Sequence, residues 1–295
     1  MIEIRRAETD TDLEAWRSVR LAVAPNESAL TVEEMRALEG PDRLLLLAIL
    51  DREVAGSGLA DRSQTGNGFI APRVVPSLRG RGVGTALLRE LLAHVEARGF
   101  RIVRAHVDGS DDRSFTFAAR NGFDEIDREV QQVRVVAPGE PEPRPFPGAD
   151  FVTVAERPEL LEQAYDLACE GYSDFAVVGG TITVTRGQWL RGEATLPQGS
   201  FVALDDGEIV GYAGLMRWEG EPEKAEHGLT VVRRAWRRRG LAVALKSRQI
   251  AWASASGIGE LVTWTQRGNE GMQRVNARLG YVTRSVSLTL QKALP

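Results

Sequence analysis

The chain has 295 residues, 43% of them hydrophobic and 26% charged, which supplies two apolar cores of ordinary domain size and excludes a disordered or fibrous protein. A net charge of −4 excludes a general nucleic-acid binder, which would carry a basic excess. The longest apolar run, Leu44–Leu50, is far short of the ~20 residues that cross a bilayer as a helix, and residues 1–6 form no apolar signal core, so a cytoplasmic location with no membrane partner is expected.

In chain order, residues 2–7 predict a strand. Residues 13–23 and 32–38 have helical periodicity, with Thr11 or Asp12 and Thr31 as N-caps. Residues 44–50 and 54–60 predict strands around the turn Asp51-Arg52-Glu53, and 69–75 another strand. A helix over 82–97, stopped by Gly99, leads to a strand at 102–107, a helix at 113–120 and a long strand at 124–136. Five prolines then fall between 138 and 147. Proline fixes φ and lacks an N–H, so this stretch predicts an extended linker. From residue 151 the first order of elements returns. The expected division is a domain at 1–137, a linker at 138–149 and a domain at 150–295. Each domain is of mixed α/β class, a mixed, mainly antiparallel sheet flanked by helices.

The repeat is visible residue by residue. The first copy has Val74 at a strand end, then Arg79-Gly80-Arg81-Gly82-Val83-Gly84. The second has Val232, then Arg237-Arg238-Arg239-Gly240-Leu241-Ala242. Each runs into an apolar helix, and each is followed 40 residues on by a second glycine, Gly122 or Gly280. Glycines let backbone N–H groups approach a ligand, a helix N-terminus adds a positive dipole end, and arginines add charge-assisted hydrogen bonds. Together they form a cradle for a pyrophosphate. One such turn could equally just start a helix; two with the same spacing favour a shared function.

These residues resemble the GCN5-related N-acetyltransferase (GNAT) family, whose acetyl-CoA motif is Gln/Arg-x-x-Gly-x-Gly/Ala. Arg79, Gly82 and Gly84 match it, as do Arg237, Gly240 and Ala242, and Gly122-Phe123 and Gly280-Tyr281 match a later signature. The resemblance covers nearly the whole chain, once per half. It implies transfer of an acetyl group from acetyl-CoA, as co-substrate, to an amine of a small molecule or a protein. It also implies a backbone N–H at Val74 and Val232 aimed at the thioester oxygen. Several family members place a glutamate base six residues before that valine: here Glu226 in the second half, but Gly68 in the first. With regular alternation, Glu226, Gly228, Thr230 and Val232 share one strand face and His227 points to the other. Glu226 also reads as a solvated carboxylate of an acidic strand end, and His227 is the alternative base. The family's acid tyrosine is missing: Ala118 and Asn276 stand in its place. Asn269 matches an asparagine at the pantetheine arm, where the first half has Asp111.

The second domain is therefore expected to be catalytic. The first is expected to be non-catalytic, with a turn that can still hold acetyl-CoA. A non-catalytic acyl-CoA-binding sensor or scaffold is the competing expectation; the acceptor and the oligomeric state stay open. Cys169 is the only cysteine, and His94, His106 and His227 lack metal-ligand spacing, so no disulfide and no metal are expected. Cys169 falls in an amphipathic stretch and is expected to be buried, and Trp189 and Trp264 to pack in cores.

Overall fold

The computed structural model describes all residues except 26, 28, 39, 64 and 176–181. The chain divides into two units, Met1–Ile126 with Leu288–Pro295, and Asp127–Ser287.

In the first unit β1 (Ile2–Arg6) is followed by helices α1 (Asp10–Val23) and α2 (Val32–Ala37). The wholly apolar β2 (Leu44–Leu50) is largely buried. It lies between β1 and β3 (Glu53–Arg62), and β3 pairs in turn with β4 (Gly68–Val74), all antiparallel. Helix α3 (Val83–Ala97) leads to β5 (Ile102–Asp108), which runs parallel to β4, and α4 (Asp112–Arg120) follows. Leu47 and Leu59 pack against Leu13, Trp16 and Met35 from the α1 and α2 side. The intervening Gly58 faces Leu87 and Leu91 of α3. Strand alternation thus gives the sheet a core on each side. The cap of α1 is Thr9, not Thr11 or Asp12; Asp12 is the third helical residue and completes a capping box. Arg5 donates to its carboxylate at 2.6 Å and, with the Thr9 and Glu8 N–H groups, holds it below the usual carboxylate range.

The second unit begins within β6 (Asp124–Val135) and continues through β7 (Asp150–Thr153), α5 (Glu159–Ser173), α6 (Arg186–Gly192), β8 (Phe201–Asp205) and β9 (Glu208–Arg217). Then come β10 (Lys224–Val232), α7 (Leu241–Ala255), β11 (Glu260–Gln266), α8 (Glu270–Arg278) and the start of β12 (Val282–Ala293). Strands β7 to β10 pair antiparallel in order, β10 and β11 pair parallel, and β11 and β6 antiparallel. Leu160, Leu167, Trp189 and Tyr212 form the core under α5 and α6, while Leu241 and Leu245 of α7 pack on Val210 and Val232.

The units do not follow the division read from the prolines. From Asp127 onward β6 belongs to the second unit, where Glu129 to Val135 pair with Gln266 to Glu260. The chain's last residues belong to the first: Leu294 N–H donates to the Arg101 carbonyl at 2.9 Å and the Lys292 ammonium to the Asn121 carbonyl at 2.7 Å. The proline-rich segment is no boundary either. Glu140 pairs with Arg134 at 2.6 Å, and Phe146 packs on the cluster that holds Val232 and Leu241. Side-chain alternation tells a strand which residues to bury but not which sheet to join, and a docked proline segment has the composition of a free one.

Among the described residues no helix is long and apolar enough to cross a membrane. Helix α6 also starts at a capping box, in which Thr185 Oγ1 accepts from Gln188 N–H at 3.3 Å and Gln188 Oε1 accepts from Thr185 N–H at 2.9 Å. Thr185→Ala should therefore lower the stability of the second unit by about 1 kcal/mol. Urea unfolding followed by tryptophan fluorescence checks this, since Trp189 lies on the capped helix; an unchanged midpoint would contradict it.

Candidate functional site

A parallel strand pair that separates creates the site. Strands β10 and β11 pair only where Lys224, Ala225 and Glu226 face Glu260, Leu261 and Val262. Beyond Glu226, β10 carries a bulge: His227 to Thr230 spans one residue more than Leu215 to Ala213 on β9. A bulge bends its strand and breaks the ladder. The separation leaves a cleft of about 470 Å³. It is lined by residues 229–232 of β10, Gln266 to Asn269 at and beyond the end of β11, the first turn of α7, and Met272 and Val275 of α8.

The glycine turn closes one end. Gly240 caps α7 with φ 90°, a left-handed backbone that favours glycine. The first N–H groups of a helix have no intrahelical partner and carry the positive end of its dipole, so Leu241, Ala242 and Val243 present an anion cradle to the cleft. Arg237 braces this turn. Its Nε donates to the Val232 carbonyl at 2.9 Å, and its Nη2 pairs with Asp174 at 2.7 Å. Arg238 also lines the cleft, with φ +63°, in the place where the first unit has Gly80 at +79°. Arg239 is not among the cleft residues: it lies over the Trp236 ring, 5.0 Å from its centre, and lines an adjoining groove. Asn269 lines the cleft and caps α8, its Oδ1 accepting from Met272 N–H at 3.2 Å.

The first unit repeats the plan with different wiring. Strands β4 and β5 pair only at Gly68 with Val103 and Phe69 with Arg104, and Gly82 caps α3 with φ 84°. Arg79 Nε donates to the Val74 carbonyl at 3.3 Å, as Arg237 does to Val232. Its Nη1, however, pairs at 3.0 Å with Asp111, the N-cap of α4. Arg81 pairs with Asp51 at 2.7 Å, and Val83 is buried. A Cβ on Gly84 would stand 3.6 Å from Val74 and 3.7 Å from Phe117. In the second unit Asn269 replaces the acid of Asp111, and Arg237 turns to Glu170 and Asp174 of the α5 end instead.

The bulge overturns the regular alternation expected of β10. Val232 packs on Leu241 and Leu245 of α7, while Glu226 lies on the opposite side, within electrostatic reach of Glu193. His227 does not reach the cleft. It is buried, sharing hydrogen bonds with Gln249 Oε1 at 3.0 Å and Tyr281 Oη. Burial, then the charge of buried Lys246, hold it well below its ordinary value, so it stays neutral. Asn276, at the tyrosine position, donates to Gln132 Oε1 at 2.9 Å inside the core. Cys169 is exposed rather than buried, Trp189 is buried as expected, and Trp264 is half-buried on β11.

Glu193 is absent from the sequence reading. It follows α6, and its carboxylate accepts the Leu229 N–H within the bulge. A Cβ on Gly228 or Gly214 would collide with its Oε1 at 2.3 or 2.5 Å, so both glycines make room for it. Burial, reinforced by the charge of Glu226 and opposed by the Leu229 bond, pushes its carboxyl up from 4.5 to about 8. A carboxyl that holds its proton more tightly folded than unfolded loses stability for the fold as pH rises between those two values. Glu193→Gln should therefore melt with wild type near pH 5 and above it at pH 9. Thermal scans at both pH values check this; equal midpoints at pH 9 would contradict it.

The acetyltransferase (GNAT) family model matches residues 6–123 and again 161–281. Among solved structures, the chain is similar to a GCN5-related N-acetyltransferase from Sphaerobacter thermophilus, with a TM-score of 0.80 and 21% identity over 99% of this chain and 95% of that one. It is also similar to a tandem GNAT protein from the clavulanic acid biosynthesis pathway, with a TM-score of 0.73 and 19% identity over 99% and 98%. A putative acetyltransferase from Pyrococcus horikoshii follows with 0.62 and 16% over 100% and 90%. At these identities the likeness is one of fold. No curated protein sequence matches.

Proposed function

We propose, for a chain that belongs to the acetyltransferase (GNAT) family, that its second unit transfers an acetyl group from acetyl-CoA to an amine of a small molecule or a protein. The observation that carries this reading is the cleft between β10 and β11. It has an anion cradle at Gly240, and Glu226, which is not among its lining residues, stands on β10 at the point where the strands part.

In this reading the pyrophosphate rests on the first turn of α7 and the pantetheine arm runs along β10 past Asn269. The amine nitrogen attacks the thioester carbon, backbone N–H groups of β10 near Val232 stabilise the oxyanion, and the C–S bond breaks as the amide forms. An amine of ordinary basicity is mostly protonated at neutral pH, and Glu226 takes its proton. The departing thiolate is protonated from water, since no tyrosine stands at 118 or 276. The Arg79–Asp111 pair, which has no counterpart at Asn269, supports a first unit that contributes no chemistry.

Two variants test the assignment. Ala242→Glu puts a carboxylate in the phosphate cradle without asking for left-handed backbone, and an acid in the first turn of a helix does not harm the fold. It should weaken CoA binding at least about tenfold by calorimetry, the scale of losing charge-assisted bonds. Glu226→Gln should lower kcat by about 10²–10⁴-fold in a thiol-release assay while acetyl-CoA affinity stays the same. An unchanged affinity in the first would overturn the cofactor site; an unchanged rate in the second would overturn the base.

A further inference from the structure

The proline-rich segment that reads as a free linker is a wall of the second unit. Its five prolines fix φ and leave few conformations to lose on ordering, so a small number of contacts holds it in place. Glu140 pairs with Arg134, its N–H donates to Ser254 Oγ at 3.2 Å, and Ser254 Oγ donates to the Ala137 carbonyl at 2.7 Å. Phe146 packs on the cluster of Val232 and Leu241 and meets the Phe151 ring edge-on, with centres 6.3 Å apart. Its Cε2 lies 3.9 Å from where a Cβ on Gly240 would stand, so the segment reaches the glycine turn itself.

Between this wall and α7 runs a groove of about 820 Å³. It continues the cleft of the β10–β11 gap: Gly240, Val243 and Arg278 line both. Phe146, Pro145 and Val243 give it apolar surface, and four arginines and two glutamates complete its charged lining. Arg134 and Glu140 neutralise each other at 2.6 Å. Arg144, Arg239 and Arg278 are exposed and, among the described residues, form no ion pair. Three arginine charges thus face the single charge of Glu142, in a chain whose net charge is −4. In the first unit Arg81, which stands where the second has Arg239, is neutralised by Asp51.

We propose that this groove takes the phosphorylated nucleoside end of CoA, and that Arg144, Arg239 and the Phe146 ring thereby select a cofactor carrying a 3′-phosphate. This rests on the acyl-transfer reading of the second unit. With the pyrophosphate on the first turn of α7 and the pantetheine arm running along β10, the adenosine leaves the cradle on its other side, and there the groove opens at Gly240. A phosphate monoester carries nearly two negative charges at neutral pH, and a guanidinium offers it paired N–H donors. The Phe146 ring beside Pro145 offers an apolar face to the purine. A wall already held by Glu140 and Phe146 needs little ordering when the ligand arrives.

The test uses the full chain, titrated by calorimetry with CoA, dephospho-CoA and adenosine 3′,5′-bisphosphate. CoA should bind at least about tenfold tighter than dephospho-CoA, the scale of charge-assisted bonds to one phosphate. The double variant Arg144→Gln/Arg239→Gln changes two exposed side chains. It should bring the two ligands to within about threefold of each other by weakening CoA, with dephospho-CoA affinity kept. Phe146→Leu keeps an apolar side chain against α7 and should weaken adenosine 3′,5′-bisphosphate about fivefold or more, the scale of a lost base stack. Equal binding of CoA and dephospho-CoA by the wild type, or a preference that survives the double variant, overturns the groove and leaves the acyl-CoA reading standing. An unchanged affinity in Phe146→Leu overturns the placing of the base. Binding of neither CoA nor dephospho-CoA overturns the acyl-CoA reading and the groove with it.

Discussion

In each unit one parallel strand pair is hydrogen-bonded at a single end. The β10–β11 ladder stops at Glu226, because the bulge from His227 to Thr230 turns β10 away, and the β4–β5 ladder stops after Phe69. Everything that could bind a ligand in the second unit follows from that separation. It leaves backbone polar groups facing a cleft and sets Gly240 at one end of the gap. It also turns Glu226 to one face of the sheet and Val232 to the other. A continuous ladder would satisfy those groups internally and leave nothing to offer a substrate.

The two units then spend the same geometry differently. In the first, Arg79 reaches Asp111. In the second, the turn arginine is drawn to Glu170 and Asp174, and buried titratable groups gather elsewhere. Glu193 lies at the bulge, whereas His227 and Tyr281 lie against α7, which carries Lys246. Lys246 is held near 7 by burial alone and lies 5.4 Å from the centre of the Tyr281 ring. That cluster is sealed from the cleft and serves the core.

Much of this was legible in the sequence, and for definable reasons. Gly82 and Gly240 could be read because a left-handed residue before an apolar helix has few alternatives to glycine. Arg238, which adopts the same region without being glycine, could not. The order and type of elements followed from period and punctuation. The bulge did not, since Gly228 and Leu229 look like ordinary strand residues, and it moved Val232 to the face opposite Glu226. Glu193 left no trace beyond an acid after a short helix. Only the two glycines that yield space to it, Gly214 and Gly228, hinted at a bulky neighbour. Cys169 misled because the helical stripe that buries Leu167 and Ala168 ends one residue short of it.

The membership of the last residues has a temporal consequence. Leu288–Pro295 complete the first unit, yet all of Asp127–Ser287 is synthesised before them. At about 5–20 residues per second, the unit made first waits roughly ten to thirty seconds for its closing strand. During that interval β5 presents an open edge, a template for pairing with another chain. The unit synthesised second, by contrast, has its borrowed strand β6 in hand from the start. The unit synthesised first is therefore the one that finishes folding last.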